Sequence, residues 1–142
     1  MPTIAETQDE IVDEFEFIGD WTERYKYIID MGRSLPPLPD EVRTEENQVR
    51  GCQSQVWLHG RLDGSAVYFD ADSDALIVRG LIALVLRVYS GHTPDEILEA
   101  APEFLGRIGM SEHLSATRAN GLQAVLKQIK RYALAFKAKT EA

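Results

Sequence analysis

Cysteine is almost missing from this chain: one residue, Cys52, among 142. An intrachain disulfide is therefore impossible, and a reducing, cytoplasmic home is the natural expectation. A structural zinc or iron–sulfur site needs several thiolates, or a Cys/His set at fixed spacing. The three histidines, His59, His92 and His113, are scattered, with neither HExxH nor CxxC, so no metal or cluster site is expected within the chain. There is no Walker loop, no GxGxxG and no basic–aromatic stripe. A formal net charge of −8 further argues against gripping phosphate backbones, so nucleic acid is not an expected partner. Long apolar runs are absent too. The longest, Leu81 to Leu86, is hemmed by Arg79, Gly80 and Arg87, too short and too charged to span a bilayer. Lys and Arg are missing from Met1 to Asp20, where seven carboxylates sit, and no secretory signal has that character. This acid either complements a helix N-terminus or offers a docking surface to a basic partner.

What is present reads as one domain over residues 1–142, with a core-forming 44% of apolar residues. Ile11, Val12, Phe15 and Ile18 share a helical face, and Gly19 ends that helix. Asp20 with Glu23 suggests a capping box for a second helix, whose apolar side is Trp21, Tyr25, Ile28 and Ile29. The run Leu35-Pro36-Pro37-Leu38-Pro39 is an extended connection. The period then changes. Residues 55–62 and 65–71 flank Asp63-Gly64, predicting a hairpin with Leu62 facing Ser65, Leu58 facing Phe69 and Val56 facing Ala71. A short strand near Gln48 and Val49 could add an edge. From Asp74 a helix that is apolar nearly all round belongs in the core, and Gly91 ends it. Thr93-Pro94-Asp95-Glu96 starts the next helix, a short helical piece follows near 102–107, and a long amphipathic helix closes the chain. The class is α+β: a small antiparallel sheet built on a hairpin, packed against several helices.

A lone cysteine is most simply a small buried hydrophobe. Cys52, however, follows Gly51 in a polar stretch, in a loop and not within an apolar stripe. The predicted register places residues 52–55 beside 72–75, where the central helix begins. Helix N-terminal amides and Arg50 favour a sulfur anion there, and Asp72 and Asp74 oppose it. Strand parity aims the thiol at the apolar face, which describes a quiet, shielded sulfur exposed only when its loop is drawn outward. A papain-like hydrolase would need a base and an oxyanion hole that no motif supplies.

The stretch Asn47-Gln48-Val49-Arg50-Gly51-Cys52-Gln53-Ser54-Gln55-Val56-Trp57 resembles the signature of the SufE family, the sulfur acceptors of cysteine desulfurases. The likeness continues through Asp72-Ser73-Asp74-Ala75, Val78-Arg79-Gly80-Leu81, His113-Leu114-Ser115 and Arg118-Ala119-Asn120-Gly121-Leu122, and includes Trp21-Thr22-Glu23-Arg24-Tyr25 and Leu35-Pro36. The resemblance implies a fold shared with iron–sulfur scaffold proteins. It also implies a cytoplasmic partner and activator of a SufS-type, PLP-dependent cysteine desulfurase, rather than a stand-alone enzyme. Cys52 would take persulfide sulfur and pass it toward an iron–sulfur scaffold. Gly51, Asp74 and Arg118 fall on supporting positions. No cofactor of its own is implied, since the PLP belongs to the partner and the persulfide on Cys52 is an intermediate. The absence of a second cysteine suits this chemistry, because a neighbouring thiol would attack the persulfide and release sulfide. The competing expectation is a non-catalytic protein-binding module in which Cys52 is structural.

Overall fold

Two capping boxes and two glycine contacts organise the helices of the computed structural model, which describes residues 2–52 and 54–141. Helix α1 (Ile4–Ile18) opens on the first box: Thr3 Oγ1 accepts from Glu6 N, and the Glu6 carboxylate accepts from Thr3 N. Gly19 caps its C-terminus and Asp20 starts α2 (Trp21–Arg33). The capping box expected at Asp20 does not form. Asp20 makes no side-chain cap, and Glu23 turns instead to Lys26, 3.2 Å away. The proline-rich segment then leads through two single 3₁₀ turns to β1 (Val56–Asp63) and β2 (Ala66–Ser73).

β1 and β2 form the antiparallel hairpin, but with every partner displaced two residues from expectation: Val56 faces Ser73, Leu58 faces Ala71 and Leu62 faces Val67. The loop is Gly64-Ser65, not Asp63-Gly64. Gly64 has φ +63° and among the described residues no non-glycine residue has positive φ, which is the type II′ arrangement with glycine in the first central position. Centring the turn on Asp63-Gly64 would put that positive φ on an aspartate. A two-residue displacement preserves parity, so Val56, Leu58, Val67 and Phe69 are buried as predicted. The edge expected at Gln48 and Val49 is a single bridge, Gln48 with Trp57, supported by Val49 N donating to Val56 O at 2.8 Å. The chain turns away at Gly51 before a strand can develop.

Because the hairpin runs to Ser73, the central helix starts later than Asp74: α3 spans Leu76–Tyr89, is capped at Ser90, and is buried along most of its length. Short helices α4 (Pro94–Glu99), α5 (Glu103–Arg107) and α6 (Met110–His113) lead to α7 (Ala116–Glu141). The Thr93–Glu96 capping box forms as expected. One continuous core takes residues from α1, α2, the hairpin, α3 and α7, and the architecture is α+β. No described helix is long and apolar enough to cross a membrane.

The tightest joint lies between α2 and α3. A Cβ on Gly80 would sit 2.1 Å from the carbonyl oxygen of Ile28, and one on Gly32 would sit 2.6 Å from Gly80 N. The two backbones touch with no side chain between them. Polar clamps complete the assembly. Arg87 of α3 holds Glu14 of α1 through Nη1 at 2.9 Å and Nη2 at 2.5 Å, and Arg107 holds Asp9 at 2.7 Å. Part of the N-terminal acid is therefore occupied by arginines of the fold itself. Lys130 of α7 donates to the carbonyl oxygens of Ile97, Leu98 and Ala100, closing the C-terminal end of α4.

Gly80→Ala is expected to cost at least ~3 kcal/mol in urea unfolding, since the added methyl meets backbone and not a flexible side chain. Gly106→Ala, where a Cβ meets nothing within 4 Å, should be neutral or slightly stabilising. Equal effects would overturn the close-contact account.

Candidate functional site

Cys52 lies on the loop between the Gln48–Val49 bridge and β1, and both ends of that loop are fixed. Upstream, Val49 pairs with Val56; downstream, Gln55 N donates to Asp74 Oδ1 at 3.1 Å and Gln55 O accepts from Asp74 N at 3.3 Å. Gly51 takes φ +93°, a value that strains any residue with a side chain. This bend turns Cys52 inward. Its Sγ–H donates to Gly121 O at 3.5 Å, and a Cβ on Gly121 would come within 3.4 Å of the sulfur. A Cβ on Gly51 would meet Ala124 Cβ at 3.6 Å. The loop thus rests on two small residues, Gly121 and Ala124, one turn apart on α7.

The thiol faces a cavity of about 410 Å³ between the first turns of α3 and α7. Ile77, Val78, Leu81 and Ile82 form one wall, and Leu122 and Val125 the other; Ser54, Ser115, Thr117 and Arg118 stand at its polar margin. Burial among these groups pushes the Cys52 thiol up from its ordinary value. The Arg118 guanidinium at that margin has no ion pair among the described residues.

Of the positions singled out by sequence, Cys52 and Arg118 share the cavity. Gly51 supplies the bend. Asp74 is exposed, does not line the cavity, and anchors the downstream end of the loop. The register correction moves the loop's neighbours from residues 72–75 to Asp74, Ala75 and Ile77. It also makes α7 the helix on which the sulfur sits, where α3 was expected. Gln53 lies outside the described residues. The sequence reading missed Thr117 as a rim residue and Gly121 as the sulfur's seat. The small-residue spacing of Gly121 and Ala124 was the available signal.

It also missed the polar cluster behind the site. Buried Asp72 accepts from Arg43 Nη2 and from Ser73 N. Arg79 Nε lies 3.0 Å from Asp72 Oδ1, an ion-pair contact without hydrogen-bond alignment. Arg43 also stacks over Trp57 at 5.0 Å. This cluster ties the 35–49 segment to the strand end that leads into the cavity. Among the described residues no group of three or more His, Cys, Asp or Glu is placed to hold a metal ion.

The family model for SufE, described as an Fe–S metabolism associated domain, matches residues 9–133. The chain belongs to the SufE family. It is 46% identical over 127 residues to an uncharacterized SufE-like protein of Rhizobium meliloti, covering 86% of this chain and 91% of that protein. A SufE-like protein of Rhizobium etli, also uncharacterized, is 47% identical over 127 residues, 86% of each chain. Among solved structures, the solution structure of a hypothetical protein from Thermus thermophilus superposes with a TM-score of 0.75 at 24% identity, covering 91% of this chain and 96% of that one. That likeness shows the fold. Membership of the SufE family ties the chain to Fe–S metabolism.

Alkylation by iodoacetamide follows the thiolate, so the pH–rate profile of Cys52 in the folded protein should have a midpoint above the ~8.5 of an unperturbed thiol. In urea the midpoint should return to that value. A folded midpoint at or below it would contradict the desolvated seat.

Proposed function

We propose that this chain, as a single SufE-like domain over residues 1–142, is a cytoplasmic sulfur acceptor that activates a cysteine desulfurase through Cys52. The observation that carries this reading is the only thiol of a SufE-family chain, half-buried on a bent, end-anchored loop that lines a cavity with apolar walls. The Cys52 thiolate attacks the outer sulfur of the partner's cysteine persulfide. A new Cys52 Sγ–S bond forms as the partner's S–S bond breaks, and the partner's thiolate leaves with the electron pair. One sulfane sulfur moves with no net oxidation, so no external oxidant or reductant is required. A second transfer of the same kind hands the sulfur to an iron–sulfur scaffold.

Several features support this role. Apolar walls shield a sulfur from stray thiols between handovers, and the lack of any second cysteine removes the internal competitor. Arg118, at the cavity margin, can stabilise the anionic persulfide. The chain needs no cofactor of its own, the PLP being the partner's. The partner frees its own persulfide cysteine for another cycle each time the sulfur moves, which is how an acceptor with Cys52 as its one reacting group accelerates turnover.

Intact-protein mass spectrometry after incubation with a desulfurase, PLP and cysteine should show a gain of one sulfur atom. Dithiothreitol should reverse the gain, and Cys52→Ser should abolish both the gain and the stimulation. If Cys52→Ser still stimulates the desulfurase fully, the chain is a binding module with a structural cysteine.

A further inference from the structure

Helix α2 bears on the surroundings of the Cys52 cavity at both ends, directly on α3 at one and through a side-chain clamp on the segment leading into α7 at the other. Near its C-terminus, Gly32 and Ile28 press against Gly80 of α3, fixing the helix that supplies Ile77, Val78, Leu81 and Ile82 to the cavity. At its N-terminus, the Trp21 indole stacks on the His113 imidazole with centroids 3.8 Å apart and planes 18° from parallel. Tyr25 Oη donates to the backbone carbonyl of the same histidine. Arg24 lies 5.1 Å over the Trp21 ring while its Nη1 donates to Ile108 O at 3.4 Å, and Trp21 also borders Gly109.

The clamped residue sits two positions before Ser115. Ser115 caps α7: its Oγ accepts from Arg118 N at 3.3 Å and its carbonyl accepts from Ala119 N at 2.9 Å. Ser115, Thr117 and Arg118 are the polar margin of the cavity. They are exposed, and none of the three side chains makes an ion pair or a tertiary side-chain hydrogen bond among the described residues. Apart from the Ser115 cap, no side-chain bond of its own ties this rim to the rest of the fold. Its position is set by the His113 grip and the packing of Leu114 against the core on one side, and by the buried body of α7 on the other.

We propose that Trp21 and Tyr25 are positioning residues for the Cys52 cavity, gripping His113 so that the rim bearing Arg118 is held facing the α3 wall beside the thiol. The inference rests on the proposed function only in taking Cys52 as the working sulfur. Neither residue touches the thiol. Their effect passes through Leu114, Ser115 and the first turn of α7, and it sets where the guanidinium charge stands relative to whatever approaches Cys52.

The test uses the isolated full chain, so it stands or falls independently of any desulfurase. The readout is the ratio of Cys52 alkylation rates by anionic iodoacetate and neutral iodoacetamide at fixed pH, which cancels changes in simple accessibility. A single positive charge near the sulfur should favour the anion by about twofold to threefold. Trp21→Leu and His113→Gln should each lose that preference, and Trp21→Phe and His113→Phe, which keep a stacking ring, should retain it. Arg118→Met should lose the same factor, and adding His113→Gln to Arg118→Met should lower the ratio no further. His113 is exposed, so its variants remain folded and informative even if Trp21→Leu does not. An unchanged ratio in His113→Gln, a ratio insensitive to Arg118→Met, or a further fall in the double variant would each overturn the proposal.

Discussion

The backbone contact between α2 and α3 is the constraint on which the remaining geometry depends. Glycine at 32 and 80 lets two helices meet at a separation no side chain would permit. That closeness sets how deeply α3 sinks into the core, and hence where its first turn ends beside the Cys52 loop. Apolar burial drives the packing, with α3 contributing Leu81, Ile82, Leu84, Val85, Leu86 and Val88 to the core. Burial is non-directional, however, and would accept several crossings. The glycine pair selects one.

Around that joint, charge works by pinning segments that have little apolar surface of their own. Asp72 gathers Arg43 and Arg79 and so fastens the proline-rich segment to the hairpin. Breaking one partner of such a partly buried set strands the others, which makes it a device for fixing geometry more than for adding net stability. Lys130 performs the matching task at the other end, supplying a positive charge to the carbonyls that end α4. The acidic first helix is partly absorbed in the same way by Arg87 and Arg107.

Much of this was legible in the chain. Alternation placed the correct residues on each face of the hairpin, and a glycine followed by a cysteine in a polar stretch marked the loop. The register was missed because two adjacent dipeptides, Asp63-Gly64 and Gly64-Ser65, both read as turns; only the sign of φ at the first central position separates them. The failed cap at Asp20 has a comparable origin: Glu23 had a nearer partner in Lys26, and a local motif cannot rank its competitors. Arg118 beside Cys52 was within reach through the family likeness, but its neighbours Ser115 and Thr117 are brought there by the crossing of α7, a tertiary fact. The role of α2 was invisible for the same reason. Trp21 read as an ordinary apolar-face residue, and nothing in its spacing pointed to His113.

The two anchors of the Cys52 loop carry a geometric consequence. Val49 and Gln55 are each held by backbone or side-chain hydrogen bonds, and each lies three residues from Cys52. At full extension three residues span about 10 Å. The sulfur's tether is therefore short and nearly equal on both sides, like the apex of a stirrup. While the anchors hold, a partner whose reacting sulfur lies deeper than that arc cannot be served by loop movement alone. Its own surface has to come down over Val49 and Gln55, so the size of the loop sets how intimate the encounter must be.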